Sequence, residues 1–327
     1  MPDLVPTRRT LLSAAAVTLV LPAMSRAQTA TQLAIATGTT GGVYYPLGGG
    51  IANILSRTVP GLSATVEVTG GSVGNLQLLG TNRVGMGFSQ VDAAVDALRG
   101  NDRFKGRPVA VRALAVLYTN RMQVVTTGST GIRTMADLRG KRVSTGAPGS
   151  ATEGMALRLI EAAGLDRDKD FRARERLSPA ESTNAMKDGK IDVYFFVSGV
   201  PTSAITDLGA SPGVQLVLID HADLADKVVA KYGPVYFPEI IPAGTYPGQR
   251  TDNKQMSVAN ILAVLDTMPD AQAAALVGAI WAGRTELAQV HAEGRNFTLE
   301  NQKSSSAGVP WHPAAEAFWK AQGAVLA

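Results

Sequence analysis

The sequence contains no cysteine. A disulfide scaffold, a thiol nucleophile and a cysteine-ligated metal are therefore excluded. The compartment stays open, because an exported protein need not use disulfides. Charge is also scarce: acidic and basic residues make up 18% of the 327 positions, below the usual quarter. The formal net charge is +4. Arg8, Arg9 and Arg26 against Asp3 place two of those charges in residues 1–27, leaving about +2 for the rest. That is too weak for a nucleic-acid surface, so no nucleic-acid partner is expected. The three histidines, His221, His291 and His312, are scattered, without metal-ligand spacing such as His-Glu-x-x-His. Gly146–Ser150 ends in a serine, but no triad partners present themselves. Neither a metal nor a cofactor is expected, and no enzyme activity. Most carboxylates, as at 166–170, read as solvated helix faces.

What is present begins at the N-terminus. Thr7-Arg8-Arg9-Thr10 precedes an apolar run at 11–21, Pro22 breaks it, and Ser25-Arg26-Ala27 offers small residues at a cleavage site. This is the order of a signal peptide, and the paired arginines suggest the twin-arginine route. The run makes a helix of about 17 Å, short of the roughly 30 Å hydrocarbon core. Residues 1–27 are read as an export signal cleaved after Ala27, which places the mature chain in the periplasm.

Glycine is abundant, at 34 residues, and 45% of the chain is hydrophobic, which suits an α/β protein with tight strand–helix turns. A strand at 32–36 leads through Thr37-Gly38-Thr39-Thr40-Gly41-Gly42 into a helix from about 43 with Leu47, Ile51, Ile54 and Leu55 on one face. Pro46 is tolerated in its first turn. A strand at 64–68, a short helix bearing Val73, Leu76 and Leu79, a strand at 83–88 and a helix at 91–98 follow. This alternation implies a largely parallel sheet with its loops gathered at one edge. Strands are predicted at 111–117 and 122–126, separated at 118–121. The opening unit then recurs: a strand at 142–144, the loop Thr145-Gly146-Ala147-Pro148-Gly149-Ser150, and a long helix. A looser echo relates 72–90 to 181–198. Two α/β lobes of similar build explain both. Further on, a strand is predicted at 214–219, helices at 221–232, 269–291 and 313–321, a strand at 257–265, and irregular chain at 233–249.

The two glycine loops carry most of the binding chemistry. A loop that ends a strand and enters a helix exposes free N–H groups at the positive end of the helix dipole. It suits a carboxylate, phosphate or sulfate, with hydroxyls of Thr39, Thr40, Ser150 and Thr152 in support. Plain turn chemistry explains one such loop; two equivalent loops favour a ligand cleft between them. Of Tyr44 and Tyr45, one is expected to line the cleft and the other to pack inward. Ser72 reads as a helix cap or a ligand contact, and Asn75 stands one turn on. Gln90 and Ser198 end apolar strands, where open α/β sheets bind ligands. Phe195 and Phe196 point opposite ways, one toward the core and one toward the solute. Glu153, in a first helical turn, either complements the dipole or meets a ligand amine.

Several of these motifs are also similar to those of a known family. Gly38-Thr39-Thr40-Gly41-Gly42-Val43-Tyr44-Tyr45-Pro46-Leu47-Gly48 and Thr69-Gly70-Gly71-Ser72-Val73-x-Asn75 resemble the first two signatures of the TAXI family of TRAP-transporter solute receptors. Ser89-Gln90-Val91-Asp92, Gly146–Ser150, 245–249 and Val309-Pro310-Trp311-His312-Pro313 fit it too, so that 31–323 is covered. The resemblance implies a type II periplasmic-binding-protein fold, two α/β lobes on a two-stranded hinge. It also implies delivery of a small organic acid or acidic amino acid, of the glutamate or 2-oxoglutarate class, to small and large TRAP membrane subunits driven by an ion gradient. Lobe one is expected at 28–121 and 259–327, lobe two at 122–258, with the hinge near 117–123 and 258–264, in a monomer. The expected ligand-binding residues are Thr39, Thr40, Gly42, Val43, Tyr44, Ser72, Val73, Asn75, Gln90, Ser150, Thr152 and Phe196. Other TRAP receptors often hold the carboxylate with an arginine; these loops contain none, so N–H groups and hydroxyls must serve. The alternatives are a binding protein for an ABC importer or a sensor, and a periplasmic enzyme on the same fold.

Overall fold

The chain opens with short apolar strands alternating with one-faced helices: β1 (Thr31–Ala36), α1 (Tyr44–Thr58), β2 (Leu62–Glu67), α2 (Ser72–Gly80), β3 (Met86–Gln90) and α3 (Val91–Arg99). The computed structural model describes residues 30–326, so the expected export signal lies outside the described residues. Leu47, Ile51, Ile54 and Leu55 are buried on α1 as their spacing predicts. β1 pairs in parallel with β2 and β3.

The next element departs from the sequence reading. In place of two strands there is one, β4 (Val111–Thr127), 17 residues long. The polar stretch at 118–121 resembles a turn in isolation, but it is held in the ladder by a late partner. That partner is β10, which pairs Ser257 with Arg121, Val258 with Asn120, Ala259 with Thr119 and Asn260 with Tyr118. The charge of Arg121 is met by Glu239, at 3.3 Å, and by Glu293, at 2.7 Å.

The opening pattern then repeats. β5 (Arg142–Ser144), α4 (Ala151–Ala162), β6 (Ala173–Glu175), α5 (Pro179–Lys187), β7 (Val193–Ser198) and α6 (Ser203–Gly209) follow the same strand–helix order. β5 pairs in parallel with β6 and β7, as β1 does with β2 and β3. The echo at 181–198 is α5 followed by β7. The chain continues through β8 (Leu216–Leu218), α7 (Ala225–Tyr232), β9 (Tyr236–Ile241) and β10 (Asn253–Leu265). It closes with α8 (Asp270–Ala282), α9 (Arg284–Val290), α10 (Ser304–Ala307) and α11 (Pro313–Ala321).

The strands form a single sheet of order β2-β1-β3-β10-β4-β7-β5-β6, with β8 on β4 and β9 on β10. Each half is a parallel trio flanked by a long antiparallel strand, and the two long strands pair with each other at the centre. The mixed α/β architecture expected from the sequence is the one observed. Two further expectations need correction. Residues 233–249 are not wholly irregular, because β9 forms there against β10; Pro238 is accommodated because β9 lies off the main strand path. The helix expected at 269–291 is two helices divided at Gly283. A Cβ at Gly283 would lie 2.7 Å from Ile54 of α1, so glycine lets the chain cross α1 and change direction. The C-terminal segment returns to the first half: Trp319 is fully buried and donates to the Leu114 carbonyl at 3.0 Å. Trp311, the bulky residue of the late motif, is buried and bridges to Ala113.

The histidines serve the framework. His312 caps α11 and reaches the Met268 carbonyl, and His291 reaches the Pro201 carbonyl. His221 ties the two long strands together. Its Nδ1 accepts from the Met256 N–H of β10 at 3.3 Å, so Nε2 carries the proton and donates to the Met122 carbonyl of β4 at 3.1 Å. Burial pushes its pKa down to about 4. The unfolded chain therefore takes up a proton near pH 6.5 that the folded one takes up only near pH 4. Stability on this account is full above pH 6.5 and falls as the pH drops toward 4, by on the order of 3 kcal/mol. Urea unfolding of His221→Gln between pH 7.5 and 4 should show a shallower acid dependence than the parent chain.

Candidate functional site

The paired topology brings the carboxyl ends of β1, β3, β5 and β7 to one place, with a helix starting after each. The cavity enclosed there is lined from the first half by Gly38, Thr39 and Gly42–Tyr44, by Gly70–Ser72 and by Gln90. From the second half come Gly146, Ala147 and Ser150–Thr152, Leu177 and Pro179, and Phe195–Ser198. No lining residue is Asp, Glu, Lys, Arg or His. The helices α1, α2, α4 and α5 all begin at its wall. Their first-turn N–H groups have no partner within the helix, and the positive ends of their dipoles add there. Some of these donors are engaged: the Gly74 N–H donates to the Gly149 carbonyl at 2.9 Å, and the Glu153 N–H to Ser150 Oγ. Those of Tyr44, Ser72, Ala151 and Thr152 have no hydrogen bond among the described residues.

Apart from its backbone donors, the wall is neutral and half apolar. Tyr44 stacks on Phe88 at 5.0 Å between ring centres, and its hydroxyl receives Asn120 Nδ2 at 3.1 Å and lies 3.4 Å from Ser72 Oγ. Burial pushes the Tyr44 pKa up to about 12, with those hydrogen bonds opposing it. The phenol is thus neutral at any physiological pH. Ser72 Oγ accepts the Gln90 N–H at 3.0 Å, and Thr152 Oγ1 accepts the Val197 N–H at 3.2 Å.

The sequence-predicted set is largely gathered here. Only Thr40, Val73 and Asn75 lie elsewhere. Thr40, within the first glycine loop, is exposed. Val73 faces an outer groove beside Arg103. Asn75 is a brace: its Nδ2 donates to the Thr37 and Phe88 carbonyls at 2.6 and 2.8 Å, and its Oδ1 receives Thr69 Oγ1. It thereby fixes two loops to β3 and has no donor left for a ligand. Tyr45 is exposed rather than packed inward. Glu153 meets no amine, because Arg176 at 2.6 Å and Arg103 at 3.2 Å hold it away from the cavity. Phe195 and Phe196 both border the cavity, although Phe195 also belongs to the main core. The wall at 177–179 was missed, although Ser178-Pro179-Ala180-Glu181 is a legible capping box.

The halves touch directly around the rim. Ser203 Oγ donates to the Gly41 carbonyl at 3.3 Å, the Val200 N–H to Glu293 at 2.7 Å, and Tyr236 to Asp92 at 2.9 Å. Arg158 pairs with Asp96 and lies 3.7 Å from Asp92. The cavity volume is about 40 Å³, which suits a small solute.

The model of the NMT1-like family matches residues 35–323. The chain belongs to the NMT1-like family. Among solved structures, one from Bordetella bronchiseptica RB50 matches with 22% identity over 80% of this chain and 76% of that one, at a TM-score of 0.50. An ancestral arginine-binding protein bound to arginine matches with 11% identity over 82% of this chain and 99% of that one, also at 0.50. The periplasmic-binding-protein fold expected from the sequence is the fold observed, and this NMT1-like chain places its cavity between the halves of that fold.

One contact makes closure testable. A Cβ at Gly70 would stand 2.2 Å from the Pro148 carbonyl oxygen of the opposite half. Gly70→Ala should lower the melting temperature and weaken solute binding at least about tenfold, because the clashing atom is backbone and cannot turn aside. Calorimetry paired with thermal melting checks this; unchanged affinity would show that the loops need not meet.

Proposed function

We propose that this protein is an exported solute receptor that captures a small organic acid in the cavity and hands it to a membrane transporter. The carrying observation is the convergence of first-turn N–H groups from helices of both halves on a space lined by no charged side chain. Such donors favour an anion, and the small lining residues let it approach. On this reading Thr39, Gly42, Val43, Tyr44, Ser72, Gln90, Ser150, Thr152 and Phe196 hold the ligand. Residues 28–121 with 259–327, and 122–258, move as two lobes. The crossing points in β4 and β10 act as the hinge, and residues 1–27 direct export. The rim contacts favour the closed form, which the transporter then recognises. The motif resemblance supports a TRAP pair of small and large subunits as the recipient. The arginine of the ancestral binding protein does not transfer to this chain, because no carboxylate lines the cavity to receive a guanidinium. Binding is also favoured over catalysis: the lining offers no acid–base pair, and Tyr44 is held neutral.

Calorimetry of ligand-stripped protein against small organic acids tests the capture, with dissociation constants expected near micromolar or below. Uptake of the same acid into vesicles carrying the membrane subunits tests the hand-over. It should follow an imposed sodium or proton gradient; a requirement for ATP would contradict a TRAP recipient.

A further inference from the structure

Behind the cavity lies a row of neutral polar side chains with unmet hydrogen-bonding capacity. Gln90 ends β3 at the wall, Asn260 of β10 stands directly opposite it, and Tyr118 of β4 stands opposite Asn260. Directly opposed residues on paired strands project to the same face, so the three side chains form one row leading inward from the cavity. All are buried, at 3%, 0% and 1% exposure. Gln90 Oε1 and the Tyr118 hydroxyl have no partner among the described residues, and the Asn260 amide makes no contact better than a weak approach to the Tyr44 hydroxyl. Their neighbours are engaged: Ser72 Oγ holds the Gln90 N–H, and Asn120 Nδ2 holds the Tyr44 hydroxyl. The backbone of Gln90 is thus pinned while its side-chain Oε1 lacks a partner, and Gln90 is the member of the row that borders the cavity.

Buried polar atoms in folded proteins nearly always find partners. An amide with an unpartnered oxygen at a ligand wall is therefore a reading group for something the ligand brings. A second carboxylate would add a second negative charge to a lining that holds no cation to balance it. An ammonium would lie without a counter-charge among helix N-termini that favour anions. A hydroxyl both donates and accepts, so it satisfies the amide whichever way the amide is turned. Val43, Leu177, Pro179 and Phe196 supply an apolar surface for a short carbon chain.

We infer that the solute is a small hydroxylated monocarboxylate, its carboxylate held by the helix N-termini and its hydroxyl read by Gln90. The inference rests on the receptor reading above and narrows the acids implied by the motif resemblance, setting glutamate and 2-oxoglutarate, each with two carboxylates, aside.

The test is calorimetry of the full mature chain, freed of bound solute, with butyrate, 2- and 3-hydroxybutyrate, succinate, L-glutamate and L-alanine. At least one hydroxybutyrate should bind about tenfold or more tightly than butyrate, because a site built to pair a hydroxyl rejects the analogue that lacks it. Gln90→Met should bring the ratio of hydroxybutyrate to butyrate affinity down to about one and leave the melting temperature unchanged or raised, since Oε1 has no protein partner to lose. Tighter binding of succinate, glutamate or alanine than of either hydroxy acid would overturn the inference while leaving solute capture standing. So would an equal loss of butyrate and hydroxybutyrate affinity in Gln90→Met. Binding of none of the acids would overturn the receptor reading along with it. If Gln90→Met fails to fold, the comparison of hydroxybutyrate with butyrate on the parent chain still decides.

Discussion

The antiparallel pairing of β4 with β10 is the constraint on which the rest of the structure depends. These strands are the ones that run from one parallel trio to the other, so their register sets how the four helix-bearing loops face one another. The pairing keeps polar residues at its centre. Asn120 and Asn260 are fully buried, and Arg121 is met by carboxylates from β9 and from the segment after α9. Apolar residues would pack there more simply, and buried ion pairs seldom add net stability. What the polar centre provides is definition: Arg121 has partners on two different elements, which fixes where those elements meet the strand. His221 adds a tie between the same two strands a little further along.

That arrangement separates two kinds of electrostatics. Formal charges that join the halves stand outside the cavity, in Arg158 with Asp92 and Asp96, Arg103 with Glu153, and Arg121 with Glu239. The cavity itself holds backbone dipoles and neutral hydroxyls and amides. A group buried among fixed dipoles is stabilised without a counter-ion that would itself have to be desolvated. The rim pairs hold the two halves against each other, and the lining between them is left without formal charge.

Much of this was legible in the sequence, because local signals and tertiary demands agree over most of the chain. The glycine loops before α1 and α4, the period of 3.6 on α1 and the recurrence of strand, loop and helix needed no long-range information. The failures have a common cause. Residues 118–121 look like a turn until β10, well over a hundred residues later, supplies their ladder. β9 forms only because β10 offers an edge, and the division of α8 from α9 at Gly283 follows from the position of Ile54 on α1. Asn75 was read as a ligand contact because its spacing places it one turn into a helix at the cleft. Which carbonyls its amide reaches depends on how β1 and β3 lie side by side. The motif similarity located the cavity, but the row of Gln90, Asn260 and Tyr118 required the register of three strands drawn from distant parts of the chain.

The central claim is that the solute is held between the halves by backbone donors at helix starts. Amide NMR of the ¹⁵N-labelled protein, titrated with a small organic acid that binds, tests it most directly. The largest shifts should fall on Gly42–Tyr44, Ser72 and Ala151–Thr152, with Gln90 among them. Shifts concentrated instead on the charged outer groove around Arg103, Arg158 and Arg167, with the loop amides unmoved, would contradict the account.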